Sequence, residues 1–121
     1  MKAKIVSIGK DAISEEEDIL IFFDQTATEG IAQYAIIQEF VDEDFQELAI
    51  GDTIKFGEQS YTIEALGEKV TQQLKDLGHV SFFFGRHPEG ELINAITLKE
   101  DKLPKLDEGV VVTYKDDSSS N

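Results

Sequence analysis

Gly51-Asp52-Thr53-Ile54-Lys55-Phe56-Gly57-Glu58-Gln59-Ser60-Tyr61-Thr62-Ile63-Glu64-Ala65-Leu66 is the stretch that decides the fold class. Thr53 to Phe56 and Tyr61 to Leu66 alternate polar and apolar side chains, which is the period of a half-buried strand. The segment Gly57-Glu58-Gln59-Ser60 between them is a glycine-containing turn, so the whole reads as a β-hairpin. The period then changes. Glu68 to Leu77 sets Val70, Leu74 and Leu77 on one helical face and is followed by Gly78, the residue suited to a left-handed C-terminal cap. This predicts one short α-helix at about residues 68–77. His79-Val80-Ser81-Phe82-Phe83-Phe84 begins a strand almost where the helix stops, and Gly85 to Gly90, with Pro88, forms the turn after it.

Outward from this centre the same vocabulary repeats. Ala3 to Lys10 reads as a first strand and Asp18-Ile19-Leu20-Ile21-Phe22-Phe23 as a second, with Asp11 to Glu17 a polar turn between them. Gly30 to Phe40 fits either helical or strand spacing; the reading adopted is a strand from about Tyr34. Glu91 to Leu98 and Gly109 to Tyr114 supply two more strands, joined by a loop over Lys99 to Glu108 that contains Pro104. About eight strands and one helix in 121 residues predict an all-β, barrel-like domain over residues 1–115, because closure removes sheet edges that would otherwise template aggregation. Asp116 to Asn121 reads as a mobile polar tail.

Forty per cent hydrophobic residues with eight Phe place the chain among folded domains. Eleven basic against 25 acidic residues give a net charge of −14. Such a field repels phosphate backbones and anionic lipid, which argues against nucleic acid and membrane surfaces as partners and favours a protein with a basic face. The absence of Cys excludes disulfides and thiolate chemistry. Met1 to Lys10 lacks the long apolar core and small-residue cleavage site of a signal peptide, and no run reaches the roughly 20 apolar residues of a spanning helix. The expected location is the cytoplasm, with no direct membrane insertion.

Inventory narrows the chemistry. There is no Gly-Lys-Ser/Thr phosphate loop, no Gly-x-Ser-x-Gly elbow and no His pair at helical metal-binding spacing. The acidic runs Glu15-Glu16-Glu17-Asp18 and Asp42-Glu43-Asp44 lack the calcium-loop ladder, so no metal is expected. His87 lies in the turn Phe84-Gly85-Arg86-His87-Pro88 and reads as a solvated loop residue. His79 follows the helix cap and opens an apolar strand. Its ring either complements the helix C-terminus or presents a neutral imidazole nitrogen as a nucleophile for a transient phosphoryl group. The second role needs positive groups around the phosphoryl oxygens, for which Lys69, Lys75 and Arg86 are the candidates in sequence.

The stretches Gly51 to Gly57, Tyr61 to Gly67 and Leu74-Lys75-Asp76-Leu77-Gly78-His79-Val80-Ser81-Phe82 resemble the central part of the glucitol/sorbitol-specific IIA component of the bacterial sugar phosphotransferase system. Leu77-Gly78-His79-Val80 after a helix of this length carries most of that resemblance, which extends with Ile8-Gly9 and Ile19 to Phe23 over the chain up to about Tyr114. The resemblance implies a phosphocarrier that takes a phosphoryl group from the histidine-containing phosphocarrier protein HPr and passes it to the IIB part of a IIB/IIC transporter. Phosphoenolpyruvate would be the ultimate donor, with no bound cofactor. It also implies a phosphoacceptor position on Tyr34 to Phe40, where Gln38 stands nearest the expected place. An amide nitrogen has no free lone pair for attack, so His79 becomes the candidate phosphoacceptor, with Arg86 as a weaker candidate for stabilising the phosphoryl group. The alternative is a relative that has lost phosphotransfer and serves as a protein-binding or regulatory module.

Overall fold

The alternation read between Thr53 and Leu66 becomes β4 (Thr53–Phe56) and β5 (Gln59–Leu66), an antiparallel hairpin with Thr53 opposite Thr62 and Phe56 opposite Gln59. Gly57 takes φ +64° at the first central position of the two-residue turn, where a side chain would strain the backbone. Ile54 and Phe56 point inward and are buried, whereas Thr53 and Lys55 point outward. The remaining elements are β1 (Lys2–Ile8), β2 (Ile19–Phe23), α1 (Glu29–Ala32), β3 (Ile36–Phe40), α2 (Val70–Leu77), β6 (Val80–Phe84), β7 (Ala95–Leu98) and β8 (Val111–Thr113). The computed structural model describes residues 1–14, 16–42 and 45–115; the expected polar tail lies outside the described residues.

The eight strands close into a barrel in the order β1-β3-β2-β6-β7-β5-β4-β8, as the run of about eight short strands predicts. Its interior is filled by rings. Phe22 meets Phe82 edge-on with centroids 5.3 Å apart, Phe56 meets Phe82 at 5.2 Å and Tyr61 meets Phe84 at 5.4 Å, all near 80° between planes. These edge-to-face contacts suit the quadrupole of each ring and add to the burial of large apolar areas. Val70 and Leu74 of α2 join this core, so the helix covers one end of the barrel with its apolar stripe.

Two parallel joints distinguish the barrel from a simple meander. β2 pairs with β3 in parallel, as does β6 with β7, so the chain must return to its starting end after β2 and again after β6. In the first return Gly30 to Phe40 divides between both sequence readings. A second, four-residue helix, α1, forms over Glu29–Ala32, with the Thr28 hydroxyl accepting from the Ile31 amide, and the strand starts at Ile36, two residues later than expected. Tyr34 is left exposed between them. After β6, the expected strand over Glu91 to Leu98 shortens to Ala95–Leu98. Pairing with β6 begins only at Ala95 opposite Ser81, and the Ile93 carbonyl instead accepts from the Lys69 amide at the start of α2.

Candidate functional site

The C-terminus of α2 builds the site. Gly78 adopts φ +58°, and a Cβ there would lie 2.7 Å from Cβ and 3.0 Å from the amide nitrogen of Asp24, so conformation and space both require glycine. The Gly78 N–H donates to the Leu74 carbonyl at 3.0 Å and the His79 N–H to the Gln73 carbonyl at 3.2 Å; the Asp24 N–H donates to the Leu77 carbonyl at 2.8 Å. This turn hands the chain to β6, whose Val80 pairs with Phe22, and leaves His79 beside Phe23 at the end of β2.

The His79 ring is half-buried and fixed on two sides. Its plane stacks on Phe23 with centroids 3.9 Å apart and 19° between planes, and Nδ1 lies 3.0 Å from the Phe22 carbonyl oxygen. A carbonyl only accepts, so Nδ1 carries the proton and in the neutral ring the lone pair sits on Nε2. Phe23 and the Phe22 carbonyl then hold that nitrogen in one orientation.

Gln38 of β3 lies one peptide away and is completely buried. Its Nε2 donates to the Gly78 carbonyl at 2.9 Å, and its Oε1 accepts from the Tyr114 hydroxyl at 2.7 Å. Burial pushes the Tyr114 phenol well above its ordinary range. A cavity of about 380 Å³ opens beside Gln38 and Gly78, lined also by Leu74, Lys75, Asp24 and Thr26 among others, and His79 is not part of its lining.

Of the cations singled out in the sequence, Lys75 joins Gly78 and Gln38 at this cavity. Lys69 lies at the opposite, N-terminal end of α2. Arg86 sits two residues beyond the far end of β6 with its guanidinium carbon 5.6 Å from the Phe83 ring centre. The run from His79 to Arg86 spans roughly 20 Å, so the fold does not bring these two together. His87 is exposed and lines a different cleft with Ile50, Leu66 and Leu92. Of the two acidic runs, Glu15, Glu43 and Asp44 lie outside the described residues, and no group of three or more acidic or histidine side chains among the described residues stands together to hold a metal. No helix among the described residues is long and apolar enough to cross a membrane.

Phe23, the Phe22 carbonyl and Tyr114 were not expected as parts of the candidate site, nor was the hydrogen-bonded link that Gln38 makes between Tyr114 and Gly78. Each arises from strand partners far apart in sequence, and only the register of β2 on β6 and of β1 between β3 and β8 could have placed them.

Comparison with known proteins agrees with the resemblance read from the Leu77-Gly78-His79-Val80 segment. The family model described as PTS system glucitol/sorbitol-specific IIA component matches residues 1–113. The crystal structure of a PTS system IIA component from Enterococcus faecalis V583 is similar at a TM-score of 0.88 and 34% identity, covering 95% of this chain and 99% of that one. Among curated proteins none matches.

Proposed function

Because this chain belongs to the family of glucitol/sorbitol-specific IIA components of the phosphotransferase system, we propose that it is a cytoplasmic phosphocarrier whose acceptor atom is Nε2 of His79. The observation that carries this reading is the Nδ1 contact to the Phe22 carbonyl, which leaves the Nε2 lone pair available. In the forward step that lone pair forms a bond to the phosphorus of a phosphohistidine on HPr. The phosphorus–nitrogen bond of the donor breaks, and its electron pair returns to the HPr imidazole. The His79 ring gains positive character while Nδ1 keeps its proton. The Phe22 carbonyl and the negative end of the α2 dipole both favour that charge. Reversal of the same chemistry onto a IIB component would complete the transfer. Lys75 is the cation best placed beside the cap; Arg86 lies too far along β6 to share the work.

The test is to supply phosphoenolpyruvate, the first enzyme of the system and HPr, and then to map acid-labile phosphate. The expected product is phosphohistidine at His79, with the phosphorus on Nε2 by phosphorus–nitrogen coupling in the nuclear magnetic resonance spectrum. Label must vanish in His79→Ala and persist in His87→Ala. No label on the wild-type chain, or label unchanged in His79→Ala, refutes the reading.

Gln38 favours a second one. At the position where the family resemblance implies the acceptor stands a buried amide with both ends hydrogen-bonded, which suits a structural role. On this reading the chain binds transporter or regulatory proteins through its acidic surface without carrying phosphate. Capture of HPr or a IIB protein that weakens with salt, on a chain that takes no label, would select it.

A further inference from the structure

Across the barrel from His79, the outer face of β5, β4 and β8 forms a grid of hydroxyl and ammonium groups. Lys55 pairs directly with Ser60 on one side and with Thr113 on the other. Thr53 lies two residues along β4 on the same face, and Lys115 follows Thr113 by two. A cavity of about 480 Å³ opens over them, lined by Gly51, Asp52, Thr53, Lys55, Ser60, Thr113 and Lys115. Thr113 is 91% buried at its floor, being 9% exposed.

The charges in this cavity run against those of the molecule. Lys115 Nζ bonds Asp52 Oδ2 at 3.1 Å and the Glu47 carbonyl at 3.1 Å, which holds the side chain in place and, among the described residues, leaves one of its three donors free. Asp52 Oδ2 also accepts from the Ala49 amide at 2.9 Å, so the carboxylate is neutralised and engaged. Lys55 makes no ion pair among the described residues. Among the described residues the lining therefore carries one net positive charge, on a chain of −14.

We propose that this cavity is a binding site for the phosphate group of a small phosphomonoester, held by Lys55, the free donor of Lys115 and the hydroxyls of Ser60 and Thr113. Ammonium groups meet the oxyanion as charge-assisted donors, and the hydroxyls on adjacent strands fill the remaining oxygen positions. Among the described residues no aromatic ring lines the cavity, so the recognition is of the charged group and not of an apolar body. The site does not involve His79 and stands whether or not that residue is phosphorylated.

Titration followed by amide shifts in the nuclear magnetic resonance spectrum tests it, with glycerol phosphate and inorganic phosphate as separate probes and ionic strength held constant with sodium chloride. Glycerol phosphate should give saturable shifts at residues 51–55, 60 and 113–115. Lys55→Met should weaken binding at least tenfold and Ser60→Ala about threefold, consistent with the greater strength of hydrogen bonds to charged groups. Lys10→Met, in the turn after β1, should leave affinity unchanged. Shifts spread over all lysines, equal shifts with chloride alone, saturation by inorganic phosphate but not by the ester, or affinity untouched in both site variants would overturn the proposal.

Discussion

Replacing Tyr114 by Phe removes one hydroxyl from the middle of the barrel and leaves Gln38 Oε1 without its donor. The bond is 2.7 Å long, and both residues are completely buried, so no water replaces it. An orphaned buried acceptor costs about 1–3 kcal/mol, which for a chain of this length lowers Tm by about 3–6 °C per kcal/mol. The sign of the pH effect is opposite. Burial raises the Tyr114 phenol in the folded state, so its proton stays on when an unfolded tyrosine, with pKa about 10, has lost it. The stabilisation is complete below pH 10 and is lost as pH rises above it, at about 1.4 kcal/mol per unit. Urea unfolding from pH 7 to 11.5 should therefore show wild type ahead of Tyr114→Phe by about 1–3 kcal/mol at neutral pH, with the gap shrinking by about 1.4 at pH 11 and about 2 at pH 11.5. Other ionising groups are common to both chains and cancel in the difference. A gap constant to pH 11.5, or Tyr114→Phe equal to wild type at pH 7, would refute the buried link.

Gly78→Ala places a Cβ 2.7 Å from Asp24 in a left-handed conformation, and denaturant unfolding should show a loss of about 2–5 kcal/mol from backbone strain and overpacking together. Phe56→Ala empties the centre of the ring cluster around Phe22, Tyr61, Phe82 and Phe84 and should cost about 3–5 kcal/mol, whereas Glu58→Ala in the hairpin turn should stay within about 0.5 of wild type by the same measurement. Long-range proton–nitrogen spectra in alkaline buffer should show His79 with its proton on Nδ1 and exposed His87 as a mixture of tautomers; a His79 proton on Nε2 would remove the basis for that atom as acceptor.

The fold was legible where neighbours in sequence are neighbours in space. The hairpin from Thr53 to Leu66, the helix from Val70 to Leu77 and its Gly78 cap follow from local periodicity and one glycine. Closure followed from the number of short strands and the need to bury their edges. What local pattern does not encode is which strands meet. Parallel pairing of β2 with β3 and β6 with β7 trims strand ends: hence Ile93, apolar and in sequence with a strand, is exposed. The candidate site was legible to the same extent. His79 stood out by following the cap, but its stacking on Phe23 depends on the antiparallel register of β2 on β6, fixed by partners nearly 60 residues apart, such as Phe22 and Val80. Arg86 is close to His79 in sequence and distant in space because β6 is extended, and a strand converts few residues into much length.

The same register links positions 38 and 79 through one peptide, the Gly78 carbonyl that accepts from Gln38. The gap between the Tyr114 hydroxyl and the Gly78 carbonyl demands an acceptor facing one and a donor facing the other, and the Gln38 amide supplies both in the observed orientation. A Glu there would set charge against the Gly78 carbonyl, and a Leu would leave two buried groups without partners; each costs stability. Gln38 thus fixes the cap carbonyl, the cap fixes the His79 amide on Gln73, and the ring follows onto the Phe22 carbonyl. Only one nitrogen in this chain of contacts is left with an uncommitted lone pair by its tautomer. On the proposed reading the acceptor is Nε2 of His79, and Gln38 bears on it through the Gly78 carbonyl that it holds.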